Sequence, residues 1–391
     1  MSSLRLLPLL LLAASPLAAQ HRAHWGDELP AVSPLSFATR SDTVAWPAPP
    51  ASTVPAPVRA VYVNAWAFGT SRFGRLLDLV EGTEVNSLVI DVKDDTGYLT
   101  FRSEVPTAIA IGANSQLRAR DTRARIEAMR ARGLHPIARI VVAKDPLLAA
   151  RKPQWAIQDR NGGLWHDRAG RAWVDAYQDS VWIYAAQLAA EAVQMGFAEI
   201  QYDYVRFPDE PPSRRATAMF SGRKEGETLR NGVADGLKIL RERTRTLGVP
   251  FTIDVFGLTT SATSDMGIGQ VWEDLASLSD AVLPMVYPSH YYKGEYGVAR
   301  PNAEPYAMVH RAMRDAKRRS EGLGASAEIR PYLQAFTLGA PHYTPEMVRA
   351  QIRAAADLGI HGWVLWNPRS VYERGQIVPD RGTTNLARSA E

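Results

Sequence analysis

The stretch AEIQYDYV, residues 198–205, predicts a short β-strand that ends in polar side chains. A helical pattern precedes it, DSVWIYAAQLAAEAVQMG (179–196), and a second follows it, NGVADGLKILRERTRTLG (231–248). The next apolar run is PFTIDVF (250–256). Both helical patterns finish in a glycine just before a strand, which is the C-cap signal of a helix that turns into a loop. The order strand, helix, strand indicates a βαβ unit with parallel strands.

The same unit recurs along the chain from Val58 onwards. The predicted strands are RAVYVNAW (59–66), SLVIDVK (87–93), HPIARIVV (135–142), AEIQYDYV (198–205), PFTIDVF (250–256), AVLPMVYP (281–288), IRPYLQAF (329–336) and HGWVLWN (361–367). Eight such units are the number that closes a (β/α)8 barrel. The alternative, an open doubly wound sheet, would carry a Gly-rich dinucleotide loop after its first strand, and none follows here. We therefore predict an α/β fold, a single-domain (β/α)8 TIM barrel with long βα loops, over residues 58–376.

The segments outside the barrel have other signatures. Residues 1–19 predict a signal peptide, because a positive start and a short apolar core precede the small-residue site Leu17-Ala18-Ala19. An uncleaved anchor is the alternative, although the apolar core is shorter than the roughly 20 residues that span a bilayer. Residues 20–57 form a Pro/Ala-rich segment of the sequence, and we expect residues 377–391 to be a C-terminal tail. We expect a periplasmic or secreted protein with no membrane span once the signal is removed.

Composition excludes several classes of protein. The 391 residues are 46% hydrophobic and 22% charged, which is typical of a soluble globular protein. With no cysteine there is neither a disulfide nor a thiolate metal site. The net charge of +4 is spread without a run, so we expect no nucleic-acid partner. The histidines lack metal-ligand spacing and no G-x-S-x-G elbow occurs, so we expect neither a metal or other cofactor nor a serine hydrolase.

Acidic side chains occupy equivalent places on three of the predicted strands. Asp91 lies on the second, Asp203 on the fourth and Asp254 on the fifth. A carboxylate that faced the helices would lie among Ile, Val and Phe side chains, at a high desolvation cost. We therefore expect all three to point into the barrel mouth, where barrel enzymes carry their active sites. For each, a structural role such as pairing with Arg139 or Arg206 stays open, and we expect one of the three to have it.

Two carboxylates that flank one bond are what glycoside hydrolysis requires. Strands four and five are neighbours, so Asp203 and Asp254 should lie close together. We assign Asp203 as nucleophile or stabiliser and Asp254 as acid/base, with Asp91 as the reserve candidate. Side-chain alternation places Gln201 on the face of Asp203, and Lys93 on the face of Asp91.

The other candidates would bind the substrate. Flat aromatic side chains suit the C–H faces of sugar rings, and pockets combine such surfaces with a few polar groups. The candidate substrate-binding residues are Asp91, Lys93, Arg139, Gln201, Arg206, Tyr287, His290, Trp366, Asn367 and Trp66. The expected partner is a carbohydrate, and the oligomeric state stays open.

Four segments carry a resemblance to a known family. They are VRAVYVNAWAFG (58–69), SLVIDVKDDTGYLTF (87–101), IQYDYVRFPDE (200–210) and WVLWNP (363–368). Together they resemble the glycoside-hydrolase domain family of secreted and cell-envelope (β/α)8 proteins of bacteria, distantly related to the α-amylase and α-galactosidase barrels. The resemblance implies that Asp203 is the nucleophile, because the nucleophilic aspartate of those barrels ends the fourth strand.

The resemblance also contains a departure. Amylase-like barrels have a glutamate acid on the fifth strand, where this chain has Asp254. Galactosidase-like relatives take the acid from the region of the sixth strand, where this chain offers Tyr287 and His290. The sequence thus predicts a glycoside hydrolase acting on a polysaccharide or oligosaccharide. The alternative is a non-catalytic glycan-binding barrel of the cell envelope.

Overall fold

The computed structural model describes residues 54–379. The signal peptide predicted in residues 1–19 lies outside the described residues. So do most of the Pro/Ala-rich segment and most of the C-terminal tail. These three assignments stay predictions, and so does the periplasmic or secreted location. Within the described residues, none of the helices combines the length and the apolar character that crossing a membrane requires.

Eight strands close into a parallel barrel, which confirms the predicted fold class. They are β1 (Arg59–Val63), β2 (Ser87–Lys93), β3 (His135–Val141), β4 (Glu199–Asp203), β5 (Phe251–Phe256), β6 (Ala281–Met285), β7 (Tyr332–Gln334) and β8 (Trp363–Trp366). Each strand pairs with the next, β8 pairs with β1, and β7 meets β6 through the register pair Tyr332 and Met285. The seventh run is interrupted: Glu328–Ile329 pairs with β6 ahead of β7, and Pro331, which has no N–H to donate, lies between the two pieces.

A helix follows every strand. The eight are α1 (Arg72–Val80), α2 (Thr122–Ala131), α3 (Asp179–Met195), α4 (Leu229–Arg245), α5 (Trp272–Leu278), α6 (Pro305–Leu323), α7 (Pro345–Ala356) and α8 (Arg374–Ile377). Gly196 ends α3 with a φ of 115°, and its N–H bonds back to carbonyl groups of the last turn. This left-handed conformation costs glycine little, which is why the glycine marked the end of the helix in the sequence.

The apolar residues form two clusters on opposite faces of the sheet. The larger cluster lies between strands and helices and contains Ile90, Ile140 and Leu333. The smaller contains Val89, Ile137 and other residues that alternate with the first set, so it fills the barrel interior. The interior is only partly apolar, because buried charged and polar side chains share it.

The loops after β3 and β4 are joined above the barrel. Gln158–Asp159 pairs with Ala218–Met219 as a two-stranded antiparallel sheet. Asp175 reinforces the connection: its carboxylate accepts hydrogen bonds from the N–H groups of Tyr177 at 3.0 Å and Gly222 at 2.9 Å. These two loops therefore form one wall at the carboxyl end of β3 and β4.

Candidate active site

Three inward carboxyl groups from different strands converge on one guanidinium group. Asp91 of β2, Asp203 of β4 and Asp254 of β5 are at most 3% exposed, and Arg139 of β3 is 5% exposed. Arg139 Nη1 lies 2.5 Å from Asp91 Oδ1. Its Nη2 bonds to Asp203 Oδ2, and its Nε lies 3.1 Å from the same oxygen and 3.5 Å from Asp254 Oδ2. Neighbouring strands thus hold two carboxyl oxygens against a single nitrogen.

One positive charge cannot balance three buried negative charges, and the pKa values reflect this. Burial and the charge of Asp203 raise the pKa of Asp254 well above its ordinary value. Burial also raises the pKa of Asp91 to about 6, although Arg139 and a hydrogen bond from Tyr62 act in the opposite direction. The raised pKa of Asp254 therefore favours its protonated form.

Gln201 holds Asp254 in place from the next strand. Its side-chain Nε2 donates to both carboxyl oxygens of Asp254, at 2.8 and 2.9 Å, and contacts the Tyr332 hydroxyl oxygen at 2.5 Å. The Gln201 Oε1 atom is buried without a hydrogen-bond partner among the described residues. Gln201 thereby fixes the rotamer of Asp254 and has little freedom to reach a ligand.

The backbone just after Asp203 is in an unusual conformation. Tyr204 has a φ of 53°, and its N–H donates to Asp203 Oδ1 at 2.5 Å. A left-handed conformation at a residue other than glycine costs roughly 1–3 kcal/mol and is concentrated at functional sites. The turn gives Asp203 a second donor besides Arg139 and sends the chain sideways across the barrel mouth.

Aromatic side chains line the opposite side of the mouth. Trp366, half-buried at the end of β8, stacks on Tyr62 with ring centroids 3.8 Å apart and planes 24° apart. The Arg139 guanidinium lies 5.2 Å from the Trp366 ring. Tyr287 lies 6.4 Å from Trp366 and 5.4 Å from the exposed His290 ring, so the wall continues along the loop after β6. A flat surface of this kind beside acidic groups suits a sugar ring.

The structure contradicts the predicted position of Lys93. A β-bulge shifts the register between Asp91, which pairs with Arg139, and Lys93, which pairs with Ile140. The extra residue turns Lys93 toward the helices, where its Nζ bonds to Asp145 Oδ2 at 2.5 Å and lies 5.2 Å from the Tyr184 ring. Lys93 is 1% exposed and is a structural ion-pair partner, so its assignment to substrate binding was wrong.

Asn367 is also occupied by the protein itself. Its Nδ2 donates to the Ala335 carbonyl at 2.7 Å, and its Oδ1 accepts from the Arg369 N–H at 2.9 Å. With both ends bound to backbone and 6% exposure, Asn367 joins the loops after β7 and β8. Its hydrogen-bonding groups therefore have a structural role, and binding of substrate by Asn367 stays a prediction.

Trp66 and Arg206 lie at the rim rather than beside the carboxyl groups. Trp66 is 60% exposed after β1, with the Arg118 guanidinium 3.9 Å from its ring. Arg206 is half-buried and lies over aromatic rings instead of pairing with an aspartate as the sequence had suggested. The nearest of these rings is that of Tyr204, 5.0 Å away.

Tyr62, Tyr204 and Tyr332 contact the carboxyl cluster but were not predicted from the sequence. Tyr62 donates its hydroxyl proton to Asp91 Oδ2. Side-chain alternation along β1 and β7 is the signal in the sequence that places Tyr62 and Tyr332 inside the barrel. The conformation of Tyr204 has no counterpart in the sequence pattern.

Comparisons with known proteins concern the family and the fold of the chain. Residues 60–372 match the family model described as "Putative glycosyl hydrolase domain". No curated protein matches the chain.

Several solved structures are similar to this chain. A hypothetical protein from Ruminiclostridium thermocellum is 34% identical, with 47% of this chain and 92% of that chain covered and a TM-score of 0.43. The PgaB (BpsB) glycoside hydrolase domain from Bordetella bronchiseptica is 14% identical, with 80% and 95% covered and a TM-score of 0.56. An alpha-L-fucosidase isoenzyme 2 from Paenibacillus thiaminolyticus is 17% identical, with 82% and 47% covered and a TM-score of 0.51. The last two likenesses concern the fold.

Proposed function

The chain belongs to the glycosyl hydrolase domain family, as the sequence resemblance predicted, and on that premise we propose that it cleaves a polysaccharide or oligosaccharide with Asp203 and Asp254. The observation that carries this assignment is the shared contact of both carboxyl groups with Arg139 Nε, at 3.1 and 3.5 Å. Two carboxyl groups so close together, one of them with a raised pKa, are the pair that glycoside hydrolysis uses.

In the proposed reaction the two aspartates have different roles. Asp254, whose pKa burial and Asp203 raise, donates its proton to the oxygen of the leaving sugar. Asp203 attacks the anomeric carbon, and the bond to the leaving oxygen breaks. Water then gives a proton to the Asp254 carboxylate and adds to the anomeric carbon, which releases Asp203. The sugar would lie against Trp366 during these steps.

We propose that the reaction retains the anomeric configuration, which the distances permit. The two carboxyl oxygens cannot be farther apart than the sum of their distances to Arg139 Nε. That limit lies at the lower end of the range for inverting enzymes, about 6.5–9.5 Å, and leaves room for the 5–5.5 Å of retaining ones. We expect NMR of the first product formed to show the configuration of the substrate.

The test compares Asp203→Asn and Asp254→Asn on natural glycans and on aryl glycosides, whose leaving groups need no proton. We expect Asp203→Asn to abolish hydrolysis of both substrates. Asp254→Asn should lower kcat/KM for the natural glycan by about 10²–10⁴-fold and for the aryl glycoside far less, because kcat/KM reports the first step, in which the acid matters only for a poor leaving group. Released reducing ends and released phenol measure the two rates.

Asp209→Asn, in the exposed loop after β4, is the matched control and should keep full activity. Circular dichroism checks that each variant folds. Full hydrolysis by Asp203→Asn would remove its role as nucleophile. Equal losses on both substrates for Asp254→Asn would make Asp254 a positioning residue instead of the acid.

A glycan-binding barrel without catalysis is the second candidate, and one observation favours it. Asp203 and Asp254 are 3% and 1% exposed and already contact Arg139, as in a structural ion cluster. This alternative predicts that the wild type binds a glycan and hydrolyses none, and that Asp203→Asn binds it equally well. Calorimetry beside the hydrolysis assay separates the two functions.

A further inference from the structure

We propose that Arg206 binds the carboxylate of a uronic acid residue in the glycan, so that the substrate is an acidic polysaccharide. This inference rests on the proposed function and specifies its substrate class. It starts from the position of Arg206 at the rim, three residues after Asp203.

Aromatic rings hold the Arg206 guanidinium above the carboxyl cluster. Its central carbon lies 5.0 Å from the ring of Tyr204, 5.4 Å from that of Trp173 and 5.9 Å from that of Phe256. Tyr204 donates its N–H to Asp203, and Phe256 follows Asp254 by two residues on the same face of β5. Arg206 is therefore held beside the ends of the two strands that carry the proposed catalytic pair.

Three other cations at this end of the barrel are already paired with carboxylates. Arg139 contacts the three buried carboxyl groups. Lys144 and Arg171 both bind the Asp95 carboxylate, at 2.8 and 2.6 Å. Arg206, by contrast, forms no ion pair with any carboxylate in residues 54–379, and its Nη1 donates to the Phe207 carbonyl at 3.0 Å.

The chemistry of this group selects its ligand. None of the Arg206 nitrogens is both buried and without a partner, so those not used by Phe207 face solvent in the mouth. A planar guanidinium group held by aromatic rings presents two parallel N–H groups to a carboxylate, and such charge-assisted pairs are about twice as strong as neutral hydrogen bonds. A neutral sugar would leave this half-buried charge unpaired. The structure therefore favours a uronate at this subsite.

The experiment measures binding of the full chain to oligosaccharides prepared from polygalacturonate, alginate and heparosan, each beside its carboxyl-reduced neutral derivative. We expect the wild type to bind at least one acidic oligosaccharide about tenfold more tightly than its neutral partner. Arg206→Gln should abolish this preference. Arg206→Lys, which keeps the charge but lacks the planar fork, should restore part of it.

Arg243→Gln is the matched control, because Arg243 is exposed in the last turn of α4, at the opposite end of the barrel, and should keep the preference. The proposal is overturned if the wild type prefers the acidic oligosaccharide in none of the three pairs. This holds whether it binds both the acidic oligosaccharide and its neutral derivative or neither of them. An Arg206→Gln variant that keeps the preference also overturns the proposal. Binding is read without hydrolysis, so a failure of the catalytic assignment is recognised separately, in the Asp203→Asn assay.

Discussion

The residue Asp91 has a carboxyl group whose charge changes close to neutral pH. Burial raises its pKa to about 6, while Tyr62 and Arg139 bind its two oxygens. Above that pH the ionised Asp91 holds Arg139 in the position from which it contacts Asp203. Below it the carboxyl group is neutral and its attraction for the guanidinium group weakens. Asp91 thus positions the proposed nucleophile through Arg139.

This role predicts a pH effect on hydrolysis. In the wild type, kcat/KM should fall as the pH drops through about 6, because Asp91 becomes protonated there. Asp91→Asn should lower kcat/KM at pH 7 by about tenfold, because a charge-assisted hydrogen bond is lost. The variant should not show the fall of kcat/KM near pH 6. The measurement is a pH profile from 4.5 to 8 on the same glycan, with Asp209→Asn as control. A fall near pH 6 that persists in Asp91→Asn would assign it to another group.

At the scale of the element, the bulge in β2 sends neighbouring charges to different places. Asp91 faces the barrel interior, whereas Lys93 enters the layer between sheet and helices and pairs with Asp145, which is fully buried. Asp145 also caps the helix Pro146–Arg151, since its Oδ1 accepts from the Leu148 N–H at 2.8 Å. The bulge therefore connects the end of β2 to the loop after β3.

Lys93→Met should destabilise the protein by about 3–5 kcal/mol, because it leaves the Asp145 carboxylate buried without its cation. Lys93→Met with Asp145→Asn should regain most of that loss, since asparagine is neutral and still caps a helix. Urea unfolding measures both values. The double variant should keep the wild-type kcat/KM, because Lys93 lies outside the mouth. Loss of hydrolysis without loss of stability would return Lys93 to the active site.

For the whole molecule, a second charged layer joins the strands at the amino-terminal end of the barrel. Glu199 of β4 binds Arg330, just before β7, at 2.6 Å and His135 of β3 at 3.3 Å. Burial raises the pKa of Glu199, but Arg330 and His135 lower it by more than burial raises it. The net result is a pKa below the ordinary value. Arg330 spans the interior, so this layer holds together strands that are not neighbours.

The layer predicts a pH-dependent contribution to stability. A lowered pKa in the folded state means that the contribution of Glu199 is fully present above its unfolded value, about 4.3, and is lost as the pH falls through the folded pKa. Arg330→Met should cost about 3–5 kcal/mol at pH 7, because a buried carboxylate is left unpaired. At pH 4 the cost should be smaller, because in the variant the buried Glu199 no longer has Arg330 to lower its pKa and can take up a proton. Urea unfolding at both pH values tests this, with Arg243→Gln as control, and an equal cost at both would contradict it.

Local patterns along the chain were enough to predict the barrel and the direction of its acidic side chains. Short apolar runs, helical periodicity and glycines such as Gly196 are local signals, and they depend only on neighbours along the chain. The inward orientation of Asp203 and Asp254 followed from alternation and from the cost of a carboxylate among apolar side chains. Those arguments need no knowledge of which strands meet.

Contacts between side chains from different strands could be identified only in the folded protein. The bulge that reverses Lys93, the capture of Asn367 by the backbone, and the meeting of three carboxyl groups on Arg139 all depend on register and closure. These are set by packing between residues far apart in sequence, and shifting a strand by one residue moves its side chains to the other face. No local pattern carries that information, so the site had to be read from the folded chain.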